Sequence, residues 1–95
     1  MQIEPMSIIY KYQLEIVDRQ EKAMPVGAEI LGVQNQRGTL TLWAWVNPKA
    51  KVEIVPFYVF GTGHPIDQTG IEEYVGTVQI DDLVWHVFKG RAAKS

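Results

Sequence analysis

Apolar side chains in this sequence recur at every second position, and this spacing limits how the chain can fold more than any other feature. The clearest stretch is residues 8–17, where one face carries Lys11, Gln13 and Glu15 and the other is apolar. The apolar face consists of Ile8, Tyr10, Tyr12, Leu14 and Ile16. A period of two is typical of a half-buried β-strand, because a helix would spread the same residues around its circumference.

Five later segments also have the composition of strands and are separated by turn residues. They are predicted as strands over residues 29–35, 39–46, 52–60, 74–80 and 83–88. Residues 18–27 are predicted as a polar, turn-rich connector, and residues 67–73 as holding one helical turn. Six strands without a long helical period predict an all-β fold, a small, mainly antiparallel six-stranded sandwich or open barrel.

The length of 95 residues leaves room for one domain. We assign that domain to residues 8–89, between a loose leader at 1–7 and a frayed tail at 90–95.

Three of the predicted strands are apolar on both faces, which is unusual for an antiparallel sheet with one side in water. In segment 39–46 the even-numbered positions are aliphatic, while Trp43 and Trp45 occupy the opposite face. Segments 52–60 and 83–88 repeat the pattern. We therefore expect a homo-oligomer in which a second subunit covers the other face, because aromatic residues are enriched at such interfaces. The alternative is that loops and the N-terminal segment of the same chain cover it.

Charge and composition argue against several classes of partner. The net charge is −2, and the 9 basic and 11 acidic side chains are scattered, so we expect no nucleic-acid partner. No apolar run is long enough to span a membrane, and the first residues lack the features of a signal peptide. We expect no membrane partner and a cytoplasmic location.

Residues suited to catalysis or metal binding are scarce. The sequence contains no cysteine, and its two histidines, His64 and His86, lack the spacing of a zinc motif. The acidic pairs 72–73 and 81–82 are adjacent in sequence, so their side chains diverge. We therefore expect no catalytic residue, metal or cofactor, and His86 is interpreted as a buried, hydrogen-bonded histidine within an apolar strand rather than as a ligand-binding residue.

Residues 61–64 form the most distinctive stretch of the sequence. Gly61 and Gly63 allow the backbone to turn sharply and to present N–H groups to an anionic oxygen. Thr62 adds a hydroxyl and His64 an imidazole. We predict ligand binding here. The alternative is a tight turn that His64 merely caps.

Two further sets of residues are candidates for the same ligand. Gln36 and Arg37 lie beside a predicted turn, and the guanidinium of Arg37 matches phosphate oxygens. Trp43 and Trp45, together with Trp85, are able to stack on a base. The alternatives are a solvated hairpin for the first set and ordinary core packing for the second.

Most of the chain, from about residue 9 to residue 89, resembles a small, uncharacterised domain family of phages and prophages. The resemblance is carried by residues 30–36, 42–48, 60–66, 74–79 and 83–88. Its most specific part is the sequence FGTGHPI at 60–66. The resemblance implies a phage-encoded accessory protein in the cytoplasm of a bacterial host.

Small oligomeric phage proteins include sponges that sequester nucleotide immune signals, and such proteins need no catalytic residues. Our leading hypothesis is therefore an anti-defence sponge that binds a nucleotide-derived bacterial immune signal without converting it. One alternative is an accessory module that docks on a protein through its apolar second face. Another is a small hydrolase of nucleotide signals.

Overall fold

The computed structural model describes residues 6–94, and within this range the chain forms strands and turns but no helix. In chain order the strands are β1 (Ile8–Gln13), β2 (Gln20–Pro25), β3 (Glu29–Gln36), β4 (Thr39–Val46), β5 (Val52–Gly61), β6 (Ile71–Ile80), β7 (Leu83–Gly90) and β8 (Ala93–Lys94). The two-residue β8 pairs with the start of β5, so part of the segment expected to be a frayed tail joins a sheet. The all-β prediction is confirmed.

The strands form two antiparallel sheets that do not close into a barrel. Sheet A has the strand order β1-β4-β3, and sheet B has the order β2-β5-β7-β6 with β8 beside β5. The two sheets approach each other where β3 lies next to β6. There the side-chain amide of Asn35 donates a hydrogen bond of 3.2 Å to the carbonyl oxygen of Gln79.

The hydrophobic core lies between the two sheets. The aliphatic face of β4 is fully buried, as the alternation predicted. Sheet B contributes the alternate residues Val55, Phe57 and Val59 of β5 and Val87 of β7. Trp85 packs against the edge of this cluster. The period-two pattern therefore separated the two faces of these strands, and the structure shows which face of β5 and β7 belongs to the core.

The first strand is shorter than predicted because a local turn replaces its last residues. Leu14 still packs into the core, and its N–H bonds to the carbonyl oxygen of Leu40 at 2.8 Å. The side chain of Gln20 then bonds both the N–H and the carbonyl oxygen of Glu15, each at 2.8 Å. These bonds turn the chain out of sheet A, so β1 ends at Gln13 rather than at residue 17.

The prediction of a connector over residues 18–27 is wrong, because β2 lies within this segment. Among the described strands, β2 lies at the edge of sheet B and pairs with β5 alone. Register places Gln20, Lys22 and Met24 beside the core-facing side of β5, and of these only Met24 is apolar. Polar and charged residues are common on edge strands because they discourage pairing with other chains. The alternation that reveals central strands is therefore absent here.

The predicted helical turn over residues 67–73 is also wrong. The Asp67 carboxylate accepts the N–H of Thr69 at 3.0 Å, and the N–H of Ile71 bonds to the carbonyl oxygen of Gln68 at 3.1 Å. These are the bonds of a tight turn, after which β6 begins at Ile71.

The two sheets differ in how their outer faces are covered. Tyr58 and Phe60 point away from the core of sheet B, yet only 8% and 6% of their surface is exposed. Residues of the loop 62–70, including Pro65 and Thr69, lie over them. On sheet A, by contrast, Trp45 is 51% exposed. Loop residues therefore lie over the second face of β5, whereas among residues 6–94 Trp45 on sheet A stays exposed. Residues 1–5 of the N-terminal segment, which the alternative also invoked, lie outside the described residues.

Across residues 6–94 there is no helix with the length and apolar character needed to cross a membrane.

Candidate functional site

The loop after β5 is a tight turn whose amides are used within the protein. The N–H of Thr62 donates to the carbonyl oxygen of Val84 at 3.3 Å, and the N–H of His64 donates to that of Gly61 at 3.1 Å. Two of the N–H groups available for an anion-binding concavity are therefore already bonded. The side chains of Thr62 and His64 are the groups of this loop that line a hollow, together with Gly61.

Gly61 allows two aromatic rings to approach the end of β5. A Cβ atom at this position would lie 3.0 Å from the imidazole of His64 and 3.2 Å from the indole of Trp85. Both distances are tighter than an ordinary van der Waals contact, so a larger residue would force one ring to move. The absence of a side chain at Gly61 therefore allows the rings of His64 and Trp85 to lie close to the end of β5.

These rings line a hollow of about 430 Å³ at the end of sheet B. Its lining consists of Gly61, Thr62, His64, Asp82, Leu83, Val84 and Trp85. We call this the loop hollow. It combines two aromatic rings, a hydroxyl, a carboxylate and two aliphatic side chains, which is a composition suited to a planar heterocycle with polar edges.

The Thr62 hydroxyl belongs to a chain of hydrogen bonds across the outer face of sheet B. Thr62 Oγ1 lies 2.7 Å from His86 Nε2, and His86 Nδ1 lies 3.1 Å from Thr77 Oγ1. Thr77 Oγ1 in turn lies 2.5 Å from the hydroxyl of Tyr74. Both imidazole nitrogens are thus bonded to threonine hydroxyls, as expected of a hydrogen-bonded histidine, but His86 is half-buried rather than buried.

The sequence did not predict this chain of hydrogen bonds. Thr77 and His86 are register partners on β6 and β7, but they are 9 residues apart in sequence. The only signal in the sequence was that each interrupts a segment of apolar or strand-forming residues. Strand pairing, rather than a local motif, brings them together.

Gln36 and Arg37 do not line the loop hollow. They belong to a second hollow of about 470 Å³ over sheet A, together with Lys11, Gln13 and Thr39. We call this the hairpin hollow. The β3–β4 hairpin that carries Arg37 is nevertheless tied to β6 by the bond between Asn35 and Gln79. The two hollows therefore lie on neighbouring hairpins.

The two predicted tryptophans are separate from both hollows. Trp43 is partly buried between its register partners Lys11 and Gly32. Trp45 lies beside Ile9 and lines a shallow, largely apolar depression with Ile8 and Ile9. The tryptophan that lines the loop hollow is Trp85. Of the eight predicted site residues, Gly61, Thr62 and His64 line the loop hollow, Gln36 and Arg37 the hairpin hollow and Trp45 the depression, whereas Gly63 and Trp43 line none of the three.

A third hollow, of about 460 Å³, lies under the loop 62–70 and was not predicted. Its floor is formed by Tyr58 and Phe60, whose rings stack with centroids 6.5 Å apart. Arg19 lies at the rim of this hollow, and its hydrogen bond to the Tyr58 hydroxyl raises the pKa of its guanidinium. The backbone N–H of Thr69 lowers the pKa of Asp67, the carboxylate on the opposite loop.

Within the part of the chain that the structure describes, no three histidine or acidic side chains are grouped closely enough to hold a metal ion.

The similarity of this chain to known proteins was found at the level of a protein family. No curated protein and no solved structure is similar enough to this chain to count as a match. Over residues 6–95, however, the chain matches a protein family, which agrees with the expected resemblance to an uncharacterised family. The chain belongs to the family described as a domain of unknown function, DUF7352.

Proposed function

We propose that this protein binds a nucleotide-derived signal in the loop hollow and sequesters it without converting it. The observation that carries the proposal is the meeting of Thr62, His64 and Trp85 in one hollow of about 430 Å³. This volume falls within the range of roughly 300–1,000 Å³ that is usual for small-molecule sites.

The lining of the loop hollow favours the base and sugar of such a ligand over its phosphates. Trp85 and His64 offer ring faces for stacking on a base, a contact that contributes about 1–3 kcal/mol. The carboxylate of Asp82 accepts hydrogen bonds from ring or exocyclic N–H groups, and the Thr62 hydroxyl bonds a sugar oxygen. Because Asp82 repels phosphate, the phosphates point away from this hollow.

The biological setting that we propose is a phage-encoded anti-defence protein in the cytoplasm of a bacterial host. The sequence FGTGHPI and the resemblance over residues 9–89 support this origin. Sequestration also fits a site that has aromatic and hydrogen-bonding groups but lacks a pair of convergent carboxylates.

Thermal unfolding in the presence of a panel of cyclic dinucleotides and ADP-ribose derivatives tests the proposal. A true ligand at 100 times its dissociation constant stabilises the protein by about 2.7 kcal/mol. His64→Ala should abolish this shift, whereas the control Ile66→Ala, in the same loop but outside the hollow, should keep it. The absence of any shift with the wild-type protein would contradict the proposal.

A small hydrolase of the same signals is the second candidate function. It is favoured by the distance of 2.7 Å between Thr62 Oγ1 and His86 Nε2, which is within the range for a nucleophile and its general base. In this alternative the Thr62 hydroxyl attacks a phosphorus atom of the ligand while His86 accepts its proton. The bond from phosphorus to the leaving oxygen breaks as His86 returns the proton to that oxygen, and water then hydrolyses the phosphothreonine. The two functions differ in whether the bound ligand is recovered intact.

We also propose that the protein is a homo-oligomer in which a second copy covers the tryptophan face of sheet A. Trp45 and Ile9 are register partners, and 51% and 58% of their surface is exposed in the single chain. The radius of gyration of 14.3 Å exceeds the value of about 12 Å expected for a compact domain of this length. The alternative occupant of this face is a different protein, as expected of an accessory module.

A further inference from the structure

We propose that the hairpin hollow is a phosphate-binding site that is separate from the loop hollow. It is lined by Lys11, Gln13, Gln36, Arg37 and Thr39. Two cations, two amides and a hydroxyl converge on it, and its lining contains no carboxylate. These are the groups that hold phosphate oxygens in proteins.

The two cations of this hollow form no ion pair with an acidic side chain among residues 6–94. The sequence has no Asp or Glu between Glu4 and Glu15, or between Glu29 and Glu53. The strands on either side of the hollow are therefore free of acidic residues near it, although the whole chain is acidic. An anionic ligand supplies the negative charge that pairs with Lys11 and Arg37.

Lys11 is held in place before any ligand arrives. Its Nζ donates a hydrogen bond of 3.1 Å to Oε1 of Gln36 across sheet A. This bond uses one of the three donors of the ammonium group and leaves two for a ligand. Gln36 thus positions Lys11 without neutralising its charge.

Arg37 is presented by a rigid turn. Arg37 and Gly38 have φ values of 54° and 87°, the left-handed pair required by a two-residue type I′ hairpin. The side chain of Asn35 accepts the N–H of Gly38 at 2.7 Å and donates to the carbonyl oxygen of Gln79. The tip of the hairpin is therefore held by one hydrogen bond within the turn and by another to β6 of sheet B. This order lowers the entropic cost of placing Arg37 on a ligand.

The two hollows differ in charge, because an acidic turn lines one of them and not the other. Asp81 and Asp82 follow Gln79 at the end of β6, and Asp82 lines the loop hollow but not the hairpin hollow. Phosphate is therefore repelled from one hollow and attracted to the other. If the proposed function holds, the ligand is one whose base and phosphates occupy different hollows, but the anion site itself does not depend on that function.

Titration of the isotopically labelled full chain with inorganic pyrophosphate at low ionic strength, followed by NMR, tests this inference. Saturable shifts are expected for the backbone amides of residues 11–13 and 36–39. Lys11→Gln and Arg37→Asn should each weaken binding by about tenfold or more, because each removes a charge-assisted hydrogen bond. Arg37→Asn creates the Asn-Gly pair preferred in this turn type, so the hairpin should remain folded.

Lys49→Gln, which removes an exposed lysine from another turn, is the matched control and should leave the affinity within about twofold of the wild type. The inference is overturned if pyrophosphate produces no saturable shifts, if the control loses as much affinity as the two variants, or if the shifts fall on residues 61–64 and 82–85.

Adenosine and ADP, titrated in the same way, separate this inference from the proposed function and distinguish the source of the phosphate. Adenosine alone should shift the residues of the loop hollow. ADP should shift both sets of residues if the phosphate belongs to a nucleotide. Binding of pyrophosphate without any effect of adenosine would support the anion site, identify free phosphate groups as its ligands and contradict the proposed function.

Discussion

Thr62 on the loop after β5 and His86 on β7 are joined by a hydrogen bond of 2.7 Å between Oγ1 and Nε2. Because Thr77 bonds the other imidazole nitrogen, the histidine ring is held from both sides. The ring in turn fixes the side-chain orientation of Thr62, a residue that also lines the loop hollow. The local order of the site therefore depends on strand pairing in sheet B more than on the glycines of the loop.

Thr62→Val should remove ligand binding with little effect on the fold. Valine keeps the shape of the side chain but lacks the hydroxyl, and the lost hydrogen bond is exposed, so the free energy of unfolding without ligand should fall by no more than about 1 kcal/mol. Thermal unfolding with and without the best ligand of the panel measures both effects, with Thr69→Val as the control outside the hollow. A variant that binds the ligand fully but no longer converts it would instead indicate the hydrolase.

Gly76→Ala should destabilise the protein by about 1–2 kcal/mol, the cost of overpacking at a site that cannot relax freely. The new Cβ atom would lie 2.7 Å from Cγ1 of Val33, where β6 of sheet B meets β3 of sheet A. Urea unfolding of the two single variants and the double variant Gly76→Ala/Val33→Ala provides the check. The glycine substitution should cost clearly less in the Val33→Ala background, and equal costs in both backgrounds would show that this contact does not limit the approach of the sheets.

The sequence predicted those parts of the fold in which alternation and burial coincide. The bounds of β4 are the predicted ones, because its aliphatic residues all face the core. β2 was not predicted, since Met24 is the only apolar residue on its core-facing side. The two tryptophan-bearing positions of β4 were correctly assigned to the second face, but nothing in their spacing indicated that Trp85, rather than they, joins the loop hollow.

The candidate site was predictable only in part for a similar reason. Gly61, Thr62 and His64 do lie together because they are close in sequence. The partners that orient them, His86 and Thr77, come from two other strands. Arg37 lies on a different hollow because its hairpin belongs to sheet A, whereas the loop after β5 belongs to sheet B.

Trp45→Thr should convert an oligomeric wild-type protein into a monomer without unfolding it. Threonine suits an exposed strand position but lacks the apolar surface that a second copy would bury. Sedimentation velocity at micromolar concentration provides the measurement, and Ile66→Thr, at an exposed loop position on the other sheet, is the control expected to leave the oligomer intact. A wild-type protein that sediments as a monomer would contradict the proposed assembly.

Asp67→Asn should alter the acid stability of the loop 62–70. The backbone N–H of Thr69 lowers the pKa of the Asp67 carboxyl below its ordinary value of 3.8 in the folded protein. A carboxyl with a lowered folded pKa contributes stability above its unfolded pKa and loses it as the pH falls through the folded pKa. Urea midpoints should favour the wild type at neutral pH and converge with those of the variant below that folded pKa. A difference that is constant with pH would rule out the charged form as its source.

The most direct test of the central claim is to recover the ligand after binding. The wild-type protein is saturated with the panel member that gives the largest thermal shift, separated from free ligand and denatured, and the released compound is identified by mass spectrometry. Sequestration predicts that the unchanged compound is released in a fixed ratio to the chain. A converted product, or protein that carries no compound after separation, would contradict it.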